Sequence, residues 1–257
     1  IVSVLSGNGD GTFQAAVNHA VGDAPASVIV SDVNDDGVLD IVAANVNSDN
    51  VSVLTGRGDG TFQDAVNHTV GDFPHSVAVG DVNGDGDSDI VTANRIGNNV
   101  SVLLGNGDGT FQAAEHQSTG EKPRSVALGD SYGNGVVDII TASLEEDTIS
   151  VLRRNGDGTF EVAVNYNVGD GPRSVTVGDM DGDGDSDIVT ANKFSNNVSV
   201  LKGNGDGTFE AAVSYDAGSS PFSVDLGDVD GDGSIDIVTA NRSSDDVSIL
   251  IGNGDAT

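Results

Sequence analysis

The sequence predicts an all-β chain and, within that class, a β-propeller: five four-stranded blades of 49 residues, with the ring closed by the N- and C-terminal strands. Three observations carry this reading. First, the chain repeats itself without insertions: Val2-Ser3-Val4-Leu5 returns at Val51, Val100, Ile149, Val198 and Val247, Phe13 at Phe62, Phe111, Phe160 and Phe209, and Pro25 at Pro74, Pro123, Pro172 and Pro221. Second, each repeat holds four short runs rich in Val and Ile, which favour strands, and nothing reads as a long amphipathic helix. Third, four short antiparallel strands at a period in the forties define a propeller blade. A single blade cannot bury both faces, and stacking neighbours covers them. A β-solenoid is the competing architecture, but its coils are usually shorter. Residues 1–257 form one domain on this reading, with repeats beginning near 1, 50, 99, 148 and 197, and 246–257 repeating the opening.

The second repeat shows the elements in order. Ser76 to Val79 is a first strand leading into an Asp-rich loop, and Asp89 to Ala93 leaves that loop as the second strand. Asn94 to Asn99 turns the chain, and Val100 to Leu104 is the third strand. Gly105-Asn106-Gly107-Asp108-Gly109 supplies the Asn-Gly and Asp-Gly pairs of a tight hairpin. The fourth strand is predicted from Thr110 to about Ser118, and the segment 120–123 leads to the next repeat. First strands occur five times, at 27–30, 76–79, 125–128, 174–177 and 223–226, and third strands six times. Residues near 13–21 are expected to complete the blade begun by Ser223, so 1–5 and 246–251 compete for one slot. The spare copy would be an exposed edge, through which the chain could self-associate.

The loop between first and second strands carries the chemistry. Its first, third, fifth and ninth positions bear side-chain oxygen and its sixth is glycine, a spacing that wraps a hard cation and suits Ca²⁺. The intact copies are Asp32, Asn34, Asp36 and Asp40; Asp81, Asn83, Asp85 and Asp89; Asp179, Asp181, Asp183 and Asp187; and Asp228, Asp230, Asp232 and Asp236. Position seven would give its backbone carbonyl, so its side chain varies: Val38, Asp87, Val136, Asp185 and Ser234. The third copy keeps Asp130, Asn134 and Asp138 but has Tyr132 at its third position. Four Ca²⁺ sites are expected, with the fifth weak or absent. Asp, Asn and Gly also make ordinary turns, but a turn needs neither four spaced ligands nor a closing Asp after an apolar residue. The metal would be structural: without it the carboxylates of one loop repel each other, and binding to the folded state stabilises that state.

Net charge is −31, from 41 acidic and 10 basic residues. This argues against nucleic acid, whose backbone needs Lys and Arg, and against an anionic membrane surface. Five divalent ions would still leave the chain strongly negative, so metal alone does not explain the surplus. The surplus points to a salt-rich habitat, with an ordinary acidic secreted protein as the alternative. There is no Cys, hence no disulfide framework, and no apolar run long enough for a membrane-spanning helix. Membrane insertion is not expected.

The loop pattern, followed by Asp-Ile-Val-Thr-Ala-Asn, and the Gly-Asn-Gly-Asp-Gly-Thr-Phe segment after Val-Ser-Val-Leu, resemble the FG-GAP/VCBS repeat family over essentially the whole chain. That family includes the propeller of integrin α chains and many secreted microbial proteins. The resemblance implies a propeller with Ca²⁺ loops on its blades, without implying one function. It favours a secreted or cell-surface binding and adhesion module with a carbohydrate or protein ligand. Alternatives are a structural repeat region without a ligand of its own and, less favoured, a metal-dependent hydrolase or lyase. No catalytic residue is assigned, because nearly all paired carboxylates sit at repeating positions. Asn18-His19 and Asn67-His68, with Asn165-Tyr166 and Ser214-Tyr215 in register, read as exposed edge positions. His75, Arg124, Arg173 and Phe222 share one variable register after the proline and would decorate one face.

Overall fold

A computed structural model describes residues 1–155 and 159–254, and among these every regular element is a β-strand. The hairpin residues 156–158 and the last three residues of the repeated opening lie outside the described residues. β1 (Val2–Val4) pairs antiparallel with β2 (Val17–His19). Four four-stranded sheets follow. They are β3 (Pro25–Ser31), β4 (Asp40–Asn45), β5 (Asn50–Leu54) and β6 (Val66–Thr69); then β7 (Pro74–Gly80), β8 (Asp89–Asn94), β9 (Asn99–Leu103) and β10 (Glu115–Ser118). Next come β11 (Pro123–Gly129), β12 (Asp138–Ser143), β13 (Thr148–Leu152) and β14 (Val164–Asn167); then β15 (Pro172–Gly178), β16 (Asp187–Asn192), β17 (Asn197–Leu201) and β18 (Val213–Asp216). A three-stranded sheet of β19 (Pro221–Gly227), β20 (Asp236–Asn241) and β21 (Asp246–Leu250) ends the series.

Strand order within each sheet is the order of the sequence, as in a propeller blade. Burial follows position: β4, β8, β12 and β16 are buried throughout, whereas the fourth strands are mostly exposed. The apolar run Ile-Val/Ile-x-Ala therefore lies between covered faces.

Two expectations are corrected. Residues 13–21 do not complete the sheet begun by Ser223; β2 pairs with β1, and β21 pairs with β20. Among the described residues the N-terminal pair and the C-terminal strands belong to separate sheets. The reason is local: the turn in which the Asn8 amide donates to the Thr12 carbonyl (2.9 Å) already fixes the β1–β2 register. The fourth strands are also shorter than predicted. Phe62, Phe111 and Phe209 make single bridges, and the ladder resumes only at Val66, Glu115 and Val213.

The chain divides into two compact units, Ile1–Gly80 with Gly86–His116, and Asp81–Asp85 with Gln117–Thr257. In the first, Val42, Ala44, Val51, Val53, Val77, Ile90 and Leu103 form the core. In the second, one cluster gathers around Ile140, Ile149, Val175 and Ile188, another around Val189, Val198, Val224 and Ile237. Adjacent blades within a unit share a repeated bond: the amides of Val77, Val175 and Val224 donate to the hydroxyls of Ser27, Ser125 and Ser174. His19 and His68 are not edge decoration. Each is half-buried and meets the next repeat's Phe62 or Phe111 edge to face at 5.3 Å, as Tyr166 meets Phe209 at 5.5 Å.

Candidate metal centre

The Asp-rich loops leave the ends of the first strands and turn on glycines held at positive φ, such as Gly37 (80°), Gly184 (93°) and Gly233 (92°). Their side chains fold inward and cap their own backbone. In the first loop the Gly37 amide donates to Asp32 Oδ2 (2.8 Å), the Asp36 amide to Asn34 Oδ1 (3.1 Å) and the Val38 amide to Asp36 Oδ1 (2.8 Å). The fourth and fifth loops repeat the scheme: Gly184 and Gly233 donate to Asp179 and Asp228, Asp185 to Asp183, and Ser234 to Asp232. In the second loop, the Asn83 and Gly84 amides donate to Asp81, and the Asp85 amide to Asn83. These turns hold the side-chain oxygens over their own loop.

Among the described residues, three carboxylates converge in loops four and five. Carboxylate oxygens of Asp179, Asp181 and Asp187 lie within 4.8 Å of one another, as do those of Asp228, Asp230 and Asp236. Three gathered carboxylates present only hard oxygen donors, the set that Ca²⁺ takes, so both loops fit that ion. Loops one and two place Asn34 and Asn83 at the third position, where each carboxamide also donates to the following Asp36 or Asp85.

The ninth Asp has a second task. Asp40, Asp89, Asp187 and Asp236 are buried, and each accepts through Oδ1 the amide of Gly56, Gly105, Gly203 or Gly252, 16 residues on, at 2.7–2.8 Å. Oδ2 of Asp40, Asp187 and Asp236 accepts an amide seven residues back, from Val33, Met180 and Val229. One carboxylate thus ties the loop to the hairpin between third and fourth strands. Those glycines have no alternative: a Cβ at Gly105 would sit 2.3 Å from the Ser88 carbonyl oxygen, within contact no real side chain tolerates. Burial raises the Asp187 carboxyl above its usual range, against two amide bonds that lower it. Asp236 is covered from water but has few atoms around it, and there the Gly252 and Val229 amides lower its carboxyl instead.

The third loop is rebuilt. Arg154 stands where the other repeats have glycine, and among the described residues no amide of residue 154 reaches Asp138. Asp138 accepts the amide and hydroxyl of Ser131 instead. Burial raises its carboxyl, and the Ser131 bonds and the Arg153 charge pull it back. Tyr132 lies over Gly207 of the next repeat's hairpin, where a Cβ would strike the ring, and the Gly207 amide donates to the Ser131 carbonyl (2.9 Å). Arg153 donates to Tyr132 Oη (3.0 Å), its guanidinium 4.9 Å from the ring centroid. An aromatic ring stands in place of the third oxygen, with a guanidinium beside it, so the donor set left in this loop does not suit Ca²⁺. Gly129-Asp130-Ser131-Tyr132-Gly133 has the spacing of a nucleophile elbow. Yet no helix follows it among the described residues, and the Ser131 hydroxyl is buried against Asp138.

Sequence reasoning missed Lys202. Its ammonium pairs with Asp181 at the third position of loop four, holding that carboxyl below its usual range. The signal was available: residues 104, 153, 202 and 251 share one register and read Leu, Arg, Lys and Ile.

A family model for the FG-GAP-like repeat matches residues 32–92, 81–141, 132–190 and 179–239, and the chain belongs to that family. A search of curated proteins found no match. Among solved structures, an Agrocybe aegerita lectin that recognises non-reducing terminal N-acetylglucosamine is 24% identical, with a TM-score of 0.60 over 90% of this chain; the match spans 64% of the lectin chain. A Bacteroides uniformis candidate 6-phosphogluconolactonase is 20% identical, TM-score 0.69, covering 96% of this chain and 73% of its own. The Vibrio cholerae biofilm matrix protein Bap1 is 20% identical, TM-score 0.55, covering 91% and 38%. At these identities the likeness shows the propeller-type fold alone.

Proposed function

We propose that the chain is a calcium-stabilised, extracellular β-propeller module that binds a carbohydrate or protein ligand rather than an enzyme. The convergence of three carboxylates in each of loops four and five carries the calcium part of this reading. On the spacing of the sequence, Asp32, Asn34, Asp36 and Asp40 with the Val38 carbonyl, and Asp81, Asn83, Asp85 and Asp89 with the carbonyl of Asp87, would complete a set of four sites. The carbonyls of Asp185 and Ser234 serve loops four and five. Five repeats support five blades as the working architecture. The lectin neighbour supports carbohydrate as the ligand class, and no helix among the described residues is long and apolar enough to cross a membrane. The acidic excess supports a salt-rich setting.

Calorimetric titration with Ca²⁺ tests this, paired with thermal melts in Ca²⁺ and in EDTA. Four ions per chain and a lower melting temperature in EDTA are the expected results; each site at a hundred times its Kd contributes about 2.7 kcal/mol. Unchanged melting in EDTA at low salt would sink the calcium reading. A second reading, a repeat region without its own ligand, is favoured by how closely the loops repeat, and it stands if a glycan array and candidate surface proteins stay silent.

A further inference from the structure

At the opposite end of the second unit's strands from the metal loops, the chain collects positive charge. Pro123/Ser125, Pro172/Ser174 and Pro221/Ser223 each flank a bulge, so Arg124, Arg173 and Phe222 are the extra residues that pairing leaves out. Bulges re-aim side chains and concentrate beside functional sites. Lys193 and Arg242 come directly after β16 and β20, next to Asn192 and Asn241, which pair with Pro172 and Pro221. The two sets meet on shared rings. The Arg173 guanidinium lies 3.2 Å from the Phe222 centroid and that of Arg242 5.3 Å from the same ring. Lys193 Nζ is 4.3 Å from the Phe194 centroid, and Phe194 is 59% exposed, its ring laid against the Gly171 backbone.

In a chain of net charge −31 with only 10 basic residues, four of them stand together here. Carboxylates to separate them are abundant, yet the charges that act on Lys193 are Arg173, Arg242 and Arg124, which with burial as the larger cause lower its ammonium. Lys193 and Arg242 form no ion pair among the described residues. Gathered like charge costs folding energy unless an anion answers it. The Phe194 ring beside it leaves exposed apolar area of the kind that packs against a sugar ring. A long uniform polyanion would meet the acidic remainder of the surface, so a short segment fits better.

We propose that Arg124, Arg173, Lys193 and Arg242, with Phe194, form a binding site for a carboxylate-bearing saccharide, a hexuronate unit of an acidic polysaccharide. This rests on the carbohydrate-binding reading above and adds the class of sugar and the end of the blades that holds it. Seven-residue first strands put the site about 20 Å from the metal loops, so calcium is not in the contact.

Titration calorimetry with tetragalacturonate, a neutral tetraose, a sulfated tetrasaccharide and tetraglutamate tests it, at low and at 0.3 M salt (about one-half the low-salt screening length or less). Tetragalacturonate should bind, weaken with salt, and weaken at least tenfold in K193E/R242E. K193Q/R242Q should lose less, and R154E, whose arginine lies in the hairpin at the metal-loop end of the same unit, should bind as the parent does. Melting temperatures confirm that the variants fold. Binding unaffected by both double variants, preference for the sulfated sugar or the peptide, or no binding by any probe overturns the site. A neutral sugar that binds regardless of Lys193 and Arg242 overturns it too, while leaving the general carbohydrate reading intact.

Discussion

Thr110 shows how much one hydroxyl does in this chain. Its amide and Oγ both donate to Asp108 Oδ1, at 3.0 and 2.5 Å, and hold that carboxyl below the 3.8 of a free aspartate. Asp10, Asp59 and Asp206 are held down by Thr12, Thr61 and Thr208 in the same way. A carboxyl whose folded pKa is depressed adds stability above its unfolded value, and that stability disappears as pH falls through the folded value. Thr110→Val should therefore move the Asp108 carboxyl up toward 3.8, read by carboxyl-carbon NMR. The variant should also lose less stability than the parent on acidification below about pH 4. Lys202 gives a second prediction. Its ammonium sits on Asp181, so Ca²⁺ must displace it; Lys202→Leu should tighten loop four several-fold in a calcium titration and leave the number of ions unchanged. The same change at Arg153 should add no ion, because loop three still has Tyr132 in place of its third oxygen.

At the scale of the blade, the buried polar chain along the second and third strands sets stability. Asn94 Nδ2 donates to Asn99 Oδ1 (2.8 Å) and to Ser101 Oγ (2.7 Å), and Ser101 Oγ accepts the Gly71 amide (2.9 Å). The first, fourth and fifth blades repeat this through Asn45, Asn192 and Asn241. Cutting Asn94 to Ala strands buried partners and should cost about 1–3 kcal/mol, measured by denaturant unfolding. The third blade has Ser143 and Thr148 instead, and their hydroxyls find no partner among the described residues. Gly120 lies against Ser143 as Gly71 lies against Asn94, with the Glu146 carboxylate beside it where the second blade has Asn99 Oδ1. Ser143→Asn with Thr148→Asn should therefore stabilise the chain by about 1 kcal/mol. A loss of stability would show that the third blade has diverged beyond repair. Metal loop and polar chain are both degraded in this blade, so the two departures belong to one element.

For the molecule as a whole, charge governs. With 41 acidic residues against 10 basic ones, the folded state repels itself, and screening relieves that. In EDTA the melting temperature should climb as NaCl rises from 0.1 to 1 M, where the screening length falls from about 10 to about 3 Å. Saturating Ca²⁺ should shrink the climb, because the densest clusters are then neutralised. A melting temperature indifferent to salt would show that the surplus carboxylates lie too far apart to matter.

The repeat, its four strands, the loop positions and the departure of the third copy from the pattern at Tyr132 were all legible in the amino-acid order, because each is local and is read against a fixed step. The fourth strands were read too long, since the ladder lapses after Phe111 for reasons of pairing that composition does not carry. The fate of the terminal strands was also beyond the sequence: Val2–Val4 and Asp246–Leu250 are near copies, and only pairing shows that one takes β2 and the other β20. The double task of the ninth aspartate, the Arg153–Tyr132 pair and the gathering of Arg173, Lys193 and Arg242 join residues from 7 to 69 positions apart. Periodicity says where such residues stand in each repeat, while the packing of one repeat against the next decides which of them touch.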